Sequence, residues 1–272
     1  MRERQTPEFF RVLLDRESNI KSADLEWYRA NMNARVIDYW MAERPGRVVR
    51  SWEDGAPVRE RVTMAEFLER CGVKELFADA GASDIRAVQA AVVNPWGFVG
   101  YQFGEALLID LQYYRPAMEE ATVGCKQLSV PSYYASLPDS TWRGGRRHCL
   151  YQDEWSGLVR IGTDVNTWQG TFTGKDGVWS FADLRDYECQ LAVLRASLRR
   201  SAAIMDRYFV EAPPGTPRPP LASLLAACHL CGSAAVIDYL STGRVHADEA
   251  GTPVTAYLQE FAHVALAEED FW

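Results

Sequence analysis

The chain has 272 residues, of which 47% are hydrophobic and 24% are charged, and its formal net charge is −8. This is an ordinary globular composition, with enough apolar side chains for one large core or two modest ones. The acidic balance argues against a dedicated nucleic-acid binder, and no apolar stretch approaches the ~20 residues of a membrane span. The N-terminus lacks the apolar region and cleavage site of a secretory signal, so we expect synthesis in the cytoplasm, with reduced cysteines and a non-Sec route for any export.

A first helix is predicted over residues 6–18, because Pro7 suits the first helical position, where its missing N–H has no intrahelical partner. Within it Phe10, Leu13 and Glu17 are spaced so that they share one face. A carboxyl group on the last turn of an apolar face is only partly hydrated, which disfavours its charged form. Glu17 is therefore a candidate general acid with a raised pKa. The alternative is a surface carboxylate at a frayed helix end.

The next part of the chain alternates helical and extended patterns. Spacings of three and four predict a helix, a turn dipeptide between valine-rich runs predicts a strand pair, and a capping box predicts another helix start. The predicted elements are a helix over 23–44, strands over 47–63 that turn at Asp54-Gly55, a helix from Thr63 to about Cys71, and a helix over 84–93.

Residues 97–104 contain three glycines, Gly97, Gly100 and Gly104, and we call this segment the glycine turn. Three glycines in eight positions indicate close backbone approach, and the leucines that follow predict a helix. Residues 115–165 are predicted to be irregular and include a basic cluster at 143–147. Residues 168–177 alternate and end in Asp-Gly, which predicts a small hairpin.

The C-terminal part is predicted to be helical. Ser180 with Asp183 is a cap for a long helix to about Phe209, residues 213–220 form a proline-rich linker, and three shorter helices follow. The segment after the linker is too short for a core of its own. We therefore predict one mainly α-helical domain over 1–272, with a small β hairpin and a long insertion, residues 20–92, after the first helix.

Several short segments, in this order, resemble goose-type lysozymes and soluble lytic transglycosylases. The Glu-Ser motif that carries the catalytic acid in those enzymes is matched by Arg16-Glu17-Ser18-Asn19. Their glycine-rich turn that leads to Gln resembles residues 93–102, and their later small-residue helix resembles residues 225–236. Residues 168–177 and 251–261 are similar to features of cell-wall hydrolases of phage and bacterial-toxin type.

The resemblance implies a lysozyme-like helical fold and a glycosidase or lytic transglycosylase that acts on peptidoglycan or a related amino-sugar polymer. Glu17 would protonate the leaving glycosidic oxygen and then act as base, activating either the substrate's own 6-hydroxyl or a water molecule. The implied partner is the glycan, with an unidentified phage or secretion-system partner for delivery. The residues implied in substrate binding are Ser18, Tyr101, Gln102, Tyr113, Trp168 and, as a hydrogen-bond donor or a satisfied core histidine, His229.

The chain also departs from that pattern. Residues 20–92 intervene between Glu17 and the glycine turn, and Cys228-His229 stands where the relatives have Tyr-Asn. Two alternatives therefore stay open: a non-catalytic glycan-binding or assembly protein on the same fold, and an intracellular enzyme that has reused the cleft for another reaction.

The sequence contains candidates for two further kinds of site, a metal site and a second catalytic carboxylate. The spacing Cys228-His229-x-Cys231 supplies one ligand pair within one helix, whereas zinc sites commonly use two pairs, so packed thiols are expected and neither a metal nor a cofactor is predicted. No second catalytic carboxylate stands out. Glu105 and Asp110 are the nearest to the motif, and Glu105 suits the first turn of a helix, where the macrodipole favours a negative charge.

Overall fold

The computed structural model describes residues 7–40, 59–80, 85–94, 97–115, 118–123, 126–131, 150–152, 159–161, 166, 168, 170–248 and 251–272. Over these residues the chain is mainly helical, as predicted. The α-helices are α1 (Glu8–Glu17), α2 (Leu25–Ala30), α3 (Met64–Arg70), α4 (Lys74–Asp79), α5 (Ile85–Ala91), α6 (Glu105–Asp110), α7 (Phe181–Leu184), α8 (Tyr187–Glu211), α9 (Leu221–Cys231), α10 (Ser233–Thr242) and α11 (Val254–Glu260).

The described strands form separate antiparallel pairs of two strands each. Among the residues described, short 3₁₀ helices lie at Ser22–Asp24, Lys175–Gly177 and Glu268–Asp270. The strand pairs are β1 (Arg35–Trp40) with β2 (Arg59–Thr63), β3 (Tyr114–Arg115) with β8 (Thr171–Phe172), β4 (Met118–Val123) with β5 (Lys126–Pro131), and β6 (Leu150–Gln152) with β7 (Val159–Ile161).

The predicted helix over 23–44 is wrong beyond Ala30. Residues 35–40 form β1, in which Ile37 lies opposite Val62 of β2. β-branched and aromatic residues fit a pleated surface as well as a helix face, and here pairing with a distant strand decides the structure. The strand expected near residues 47–49 lies outside the described residues. The capping box that ends β2 is confirmed, since Thr63 and Glu66 exchange both hydrogen bonds at the start of α3.

Two predictions for the middle of the chain are also wrong. Residues 168–177 do not form a hairpin, because β8 pairs with β3, more than fifty residues earlier in sequence. The stretch predicted as irregular contains the pairs β4–β5 and β6–β7. The basic cluster at 143–147 lies outside the described residues.

The larger hydrophobic core joins α1, the glycine turn and helices α8, α9 and α11. Helix α9 is its centre, because every residue from Ala222 to Cys228 is buried. A helix that is buried all round has no polar face, which explains its run of leucines and alanines. Helix α1 presents Phe9, Phe10, Leu13 and Leu14 to this core, so its last turn is held against the protein interior.

A second, smaller core is built from residues of the predicted insertion, from Ile20 to Val92. Hydrogen bonds from polar side chains connect it to the larger core. Gln89 donates to the carbonyl oxygen of Ile20 at 2.6 Å and to Asp15 of α1 at 2.7 Å. Arg185 donates to the carbonyl oxygen of Ala91 at 3.0 Å. The segment 20–92 therefore packs beside the N-terminal helix and the start of α8.

Four described cysteines, Cys71, Cys189, Cys228 and Cys231, are free thiols, whereas Cys125 and Cys149 lie outside the described residues.

Among the helices described, none is by itself long and apolar enough to cross a membrane. Helices α9 and α10 reach that length and composition only together, and the chain bends by 116° between them.

Candidate active site

The last turn of α1 opens into the site. Ser18 ends this helix, since its N–H donates to the carbonyl oxygen of Leu14 at 3.0 Å and its hydroxyl donates to the same oxygen at 2.7 Å. Asn19 then takes a positive φ of 58° and directs the chain into the second core. Glu17 is thereby left at the helix end with its side chain partly buried.

Glu17 lines a cavity of about 820 Å³, a volume typical of small-molecule and cofactor sites. The wall is formed by the ends of α1 and α3, the glycine turn, parts of α6, α8 and α9, the start of α10, the segment that leads into α11, and α11 itself. The polar side chains that concern the chemistry below are Glu17, Asn94, Gln102, His229, Asp248 and Tyr257. The structure thus brings Glu17 and Gln102 to one cavity, although 84 residues lie between them in sequence.

The pKa of the Glu17 carboxyl group lies close to neutral pH. Burial disfavours its charged form and raises its pKa from 4.5 to about 7. The Tyr257 hydroxyl donates a hydrogen bond to Oε1 of Glu17, which opposes that rise, as does the positive charge of Arg16. The negative charges of Asp248 and Glu260, like burial, raise the pKa of Glu17.

Tyr257 is held firmly in place. It is 2% exposed and its ring is stacked on Phe261 with centroids 5.6 Å apart. The guanidinium of Arg16 lies 5.5 Å from the centroid of the Tyr257 ring and pairs with Glu260 at 3.4 Å. Burial raises the pKa of Tyr257 above its usual value, with the Glu17 charge as a further cause. Its hydroxyl therefore stays protonated and serves as a donor to Glu17.

Gln102 connects the glycine turn to the end of α1. Its backbone has a positive φ of 61°, and its side-chain Nε2 donates to the carbonyl oxygen of Glu17 at 2.9 Å. Asn94 Nδ2 donates to Gln102 Oε1 at 2.6 Å and so orients the amide. Gln102 lies at the cavity wall, and the contacts it makes here position the backbone of Glu17.

The side chain of Gln190 in α8 binds the backbone of the glycine turn. This fully buried side chain donates to the carbonyl oxygens of Ala90 and Leu184, both at 2.7 Å. Its Oε1 accepts from the backbone N–H of Tyr101 at 3.3 Å. One amide thus connects the glycine turn to α5 and to the end of α7. Buried amides with all these partners are rigid, because each lost bond leaves an unpaired polar group.

His229 lies on α9 and contributes to the same wall. Its Nε2 is 2.7 Å from the carbonyl oxygen of Tyr101. Because a carbonyl oxygen only accepts, Nε2 carries the proton and donates it to Tyr101, which leaves Nδ1 as an acceptor. Burial lowers the pKa of His229 to about 4, so the imidazole is neutral at physiological pH. In this arrangement the free ring nitrogen of His229 is an acceptor, whereas the sequence suggests either a hydrogen-bond donor or a satisfied core histidine.

Three of the residues expected to bind substrate, Tyr101, Tyr113 and Ser18, make other contacts in the structure. Tyr101 and Tyr113 are fully buried; their hydroxyls donate to the carbonyl oxygen of Phe10 and to Asp176, respectively. Within the described part of the chain, neither lines the cavity, so the expectation that they line the cleft is wrong. Ser18 does contribute to the cavity wall, but its hydroxyl donates to the carbonyl oxygen of Leu14 and so belongs to the helix cap.

Trp168 likewise packs within the protein. Its Nε1 donates to the carbonyl oxygen of Gly97 at 2.7 Å, and its ring is stacked on Phe172 with centroids 6.0 Å apart. Its backbone N–H donates to Glu105, whose buried carboxylate therefore holds Trp168 next to α6. Trp168 therefore supports the glycine turn. It is not one of the described residues that line the cavity.

Sequence reasoning did not assign a role to Asp248. It lines the cavity, and its carboxylate accepts from the backbone N–H of Thr252 at 2.6 Å. The spacing from Asp248 to Gly251 is a turn pattern, but nothing local indicates that this turn meets α1. Tyr257 carries a stronger signal, because Val254, Tyr257 and Phe261 are spaced to share one face of a helix.

Other candidate groups are engaged elsewhere. Asp110 pairs with Arg200 at 3.4 Å at the cavity wall. Among the described residues, no three His, Cys, Asp or Glu side chains are grouped so that they could hold a metal ion. Comparison of the chain with protein-family models, with curated proteins and with solved structures gives no match.

Proposed function

We propose that the protein is a glycosidase or lytic transglycosylase of lysozyme-like fold that cleaves peptidoglycan or a related amino-sugar polymer, with Glu17 as general acid and base. The observation that carries this proposal is the Glu17 carboxyl at the wall of a large cavity, with a pKa of about 7. A group with this pKa gives up and takes back a proton at neutral pH at little cost, which is what acid–base catalysis requires.

The reaction would proceed in two proton transfers. Protonated Glu17 gives its proton to the glycosidic oxygen as the bond from that oxygen to the anomeric carbon breaks. The Glu17 carboxylate then removes a proton from the substrate's 6-hydroxyl or from water, whose oxygen bonds to the anomeric carbon. Glu17 ends protonated, as it began, so the cycle balances with a single carboxylate.

The neighbours of Glu17 suit both halves of that cycle. Burial favours the protonated acid before bond cleavage. The hydrogen bond from Tyr257 stabilises the carboxylate that forms afterwards. Gln102 holds the backbone of Glu17 through the 2.9 Å bond to its carbonyl oxygen, which keeps the acid in a constant position relative to the cavity.

Digestion of purified peptidoglycan sacculi tests the proposal. The expected result is release of soluble muropeptides, and mass spectrometry of their ends would separate anhydro products of the 6-hydroxyl from hydrolysed products of water. Sacculi that bind the protein in a pelleting assay without being cleaved would instead support the non-catalytic alternative. The absence of both binding and cleavage would contradict the proposal.

Substitution of two neighbours of Glu17, Asp248 and Tyr257, is expected to shift the pH dependence of cleavage in opposite directions. The acid must be protonated, so the rate falls as pH rises through its pKa. Asp248→Asn removes a negative charge that raises the pKa of Glu17, and this limb should move to lower pH. Tyr257→Phe removes a hydrogen bond that lowers it, and the limb should move to higher pH.

Each displacement is expected to be up to about one pH unit, measured as the midpoint of the alkaline limb of kcat/KM. Glu8→Gln, at the exposed start of the same helix, is the control and should leave the midpoint unchanged. Displacements of the same sign in the two variants would show that Glu17 does not set this limb.

A further inference from the structure

His229 has one ring nitrogen with a partner and one without. Nε2 donates to the carbonyl oxygen of Tyr101 at 2.7 Å, and this bond fixes the tautomer, since only an N–H can satisfy a carbonyl oxygen. Nδ1 is consequently a bare acceptor. It is buried and has no hydrogen-bond partner among the described residues.

Buried polar atoms of proteins are nearly always paired, and an exception asks for an explanation. The described residues contain two such side-chain atoms, Nδ1 of His229 and Oγ of Ser223. Both lie on α9, but only His229 is at the cavity wall. The unpaired acceptor is therefore associated with the place where a ligand would bind, whereas Ser223 lies inside the core.

The chemistry of this atom restricts what it can bind. Because burial lowers the pKa of His229 to about 4, the ring is neutral and Nδ1 offers a lone pair without a positive charge. A carboxylate or phosphate brings no hydrogen to such an atom. A hydroxyl or an amide N–H does, and amino-sugar polymers carry both groups on every residue.

The position of the acceptor is tied to that of the acid. His229 binds the carbonyl oxygen of Tyr101, and the next residue, Gln102, binds the carbonyl oxygen of Glu17. Two consecutive residues of the glycine turn thus connect α9 to the end of α1. A ligand group bound at Nδ1 would be held at a constant distance from the Glu17 carboxyl.

We propose that Nδ1 of His229 is a hydrogen-bond acceptor for the glycan and selects a sugar that presents a hydroxyl or N-acetyl N–H at this point of the cavity. This rests on the proposed function and deepens it, since it assigns the polarity of one subsite. Nδ1 exposes almost no surface in this conformation, so the side chains over the ring must shift when the donor arrives.

The first test is imidazole ¹⁵N NMR of the full chain with the hexamer of N-acetylglucosamine as probe. In the free protein we expect Nε2 protonated and Nδ1 unprotonated. Saturating hexamer should move the Nδ1 resonance upfield, as hydrogen bonding does, and leave Nε2 in place. The glucose hexamer separates the two donors: a shift with both probes indicates a hydroxyl, and a shift with the N-acetyl probe alone indicates the amide.

The second test uses substitution and turnover. His229→Gln retains an N–H that can reach the Tyr101 carbonyl, as Nε2 does, and removes the ring acceptor. It should raise KM by roughly 3- to 10-fold, the effect of one neutral hydrogen bond, with kcat changed much less. His229→Phe loses both contacts and should unfold at a lower temperature than His229→Gln, which shows that the bond to Tyr101 is a separate function of the ring.

The outcomes distinguish this inference from the proposed function. A hexamer that moves Nδ1, with no cleavage of sacculi, supports the subsite and contradicts the catalytic proposal. Cleavage with a stationary Nδ1 resonance and an unchanged KM in His229→Gln overturns the subsite and leaves catalysis standing. A free protein in which Nδ1 carries the proton also overturns it.

Discussion

Replacing Glu17 by Gln is expected to reduce peptidoglycan cleavage by roughly 10²- to 10⁴-fold, the usual contribution of a positioned general acid. Gln keeps the size of the side chain and an oxygen that can accept from Tyr257, but it has no proton to give to the leaving oxygen. The measurement is the initial rate of muropeptide release under conditions where the substrate saturates the wild-type enzyme. Binding to sacculi should be retained.

The same substitution should stabilise the protein at alkaline pH. The pKa of Glu17 is about 7 in the folded chain and near 4.5 when unperturbed, so the folded state binds this proton more tightly. The favourable contribution is complete below pH 4.5 and is lost as pH rises through 7. The wild type should therefore lose up to about 3 kcal/mol of unfolding free energy across this window, and Glu17→Gln should not.

Urea unfolding at pH 5 and pH 8 measures this difference. At pH 5 the two proteins should be nearly equal, and at pH 8 the Gln variant should be the more stable one. Glu8→Gln again serves as control, since this exposed carboxylate should show no comparable gain. A variant that loses both activity and stability at pH 8 would indicate a structural role for Glu17 and contradict the assignment as an acid.

The part of the site that the sequence predicts is the part that depends on local spacing. Phe10 and Leu13 are buried in the structure, and the helical period places Glu17 on the same face. Its raised pKa follows from that face being held against the core. The glycine turn was likewise predicted as a place of close backbone approach, and Gly100 and Gln102 there take positive φ values.

What could not be predicted depends on contacts between distant segments. Tyr257 reaches Glu17 across 240 positions, and Asp248 acts on it from a turn with no local mark of function. Strand β1 was missed for a related reason. Its residues suit either structure, and the pairing with β2 that decides between them is a long-range contact.

The aromatic predictions show a different limit. A motif places Tyr101 in the glycine turn, but it does not indicate which side of the turn faces a ligand. In the structure the hydroxyl of Tyr101 donates inward to Phe10, and the backbone carbonyl of Tyr101 accepts from His229 at the cavity wall. The residue thus contributes to the site through its peptide group rather than its ring.

The second large effect is expected for Gly100→Ala, because a side chain has no room at this position of the turn. Gly100 has a positive φ of 53°, and an added Cβ would lie 2.1 Å from Oε1 of Gln190 and 2.7 Å from the carbonyl oxygen of Ala90. The Gln190 amide cannot turn aside without losing its 2.7 Å bond to Ala90. Strain and unpaired buried groups together should cost about 3–5 kcal/mol of unfolding free energy.

Gly215→Ala is the matched control, since Gly215 also has a positive φ, 88°, but an added Cβ there would meet nothing within 4 Å. It should cost only the backbone strain, about 1 kcal/mol. Because the turn carries the carbonyl group bound by His229 and the amide that holds Glu17, Gly100→Ala should also reduce cleavage at temperatures where the chain stays folded, and Gly215→Ala should not. Equal losses of stability in the two variants, measured by urea unfolding, would show that the turn is not packed against Gln190 as described.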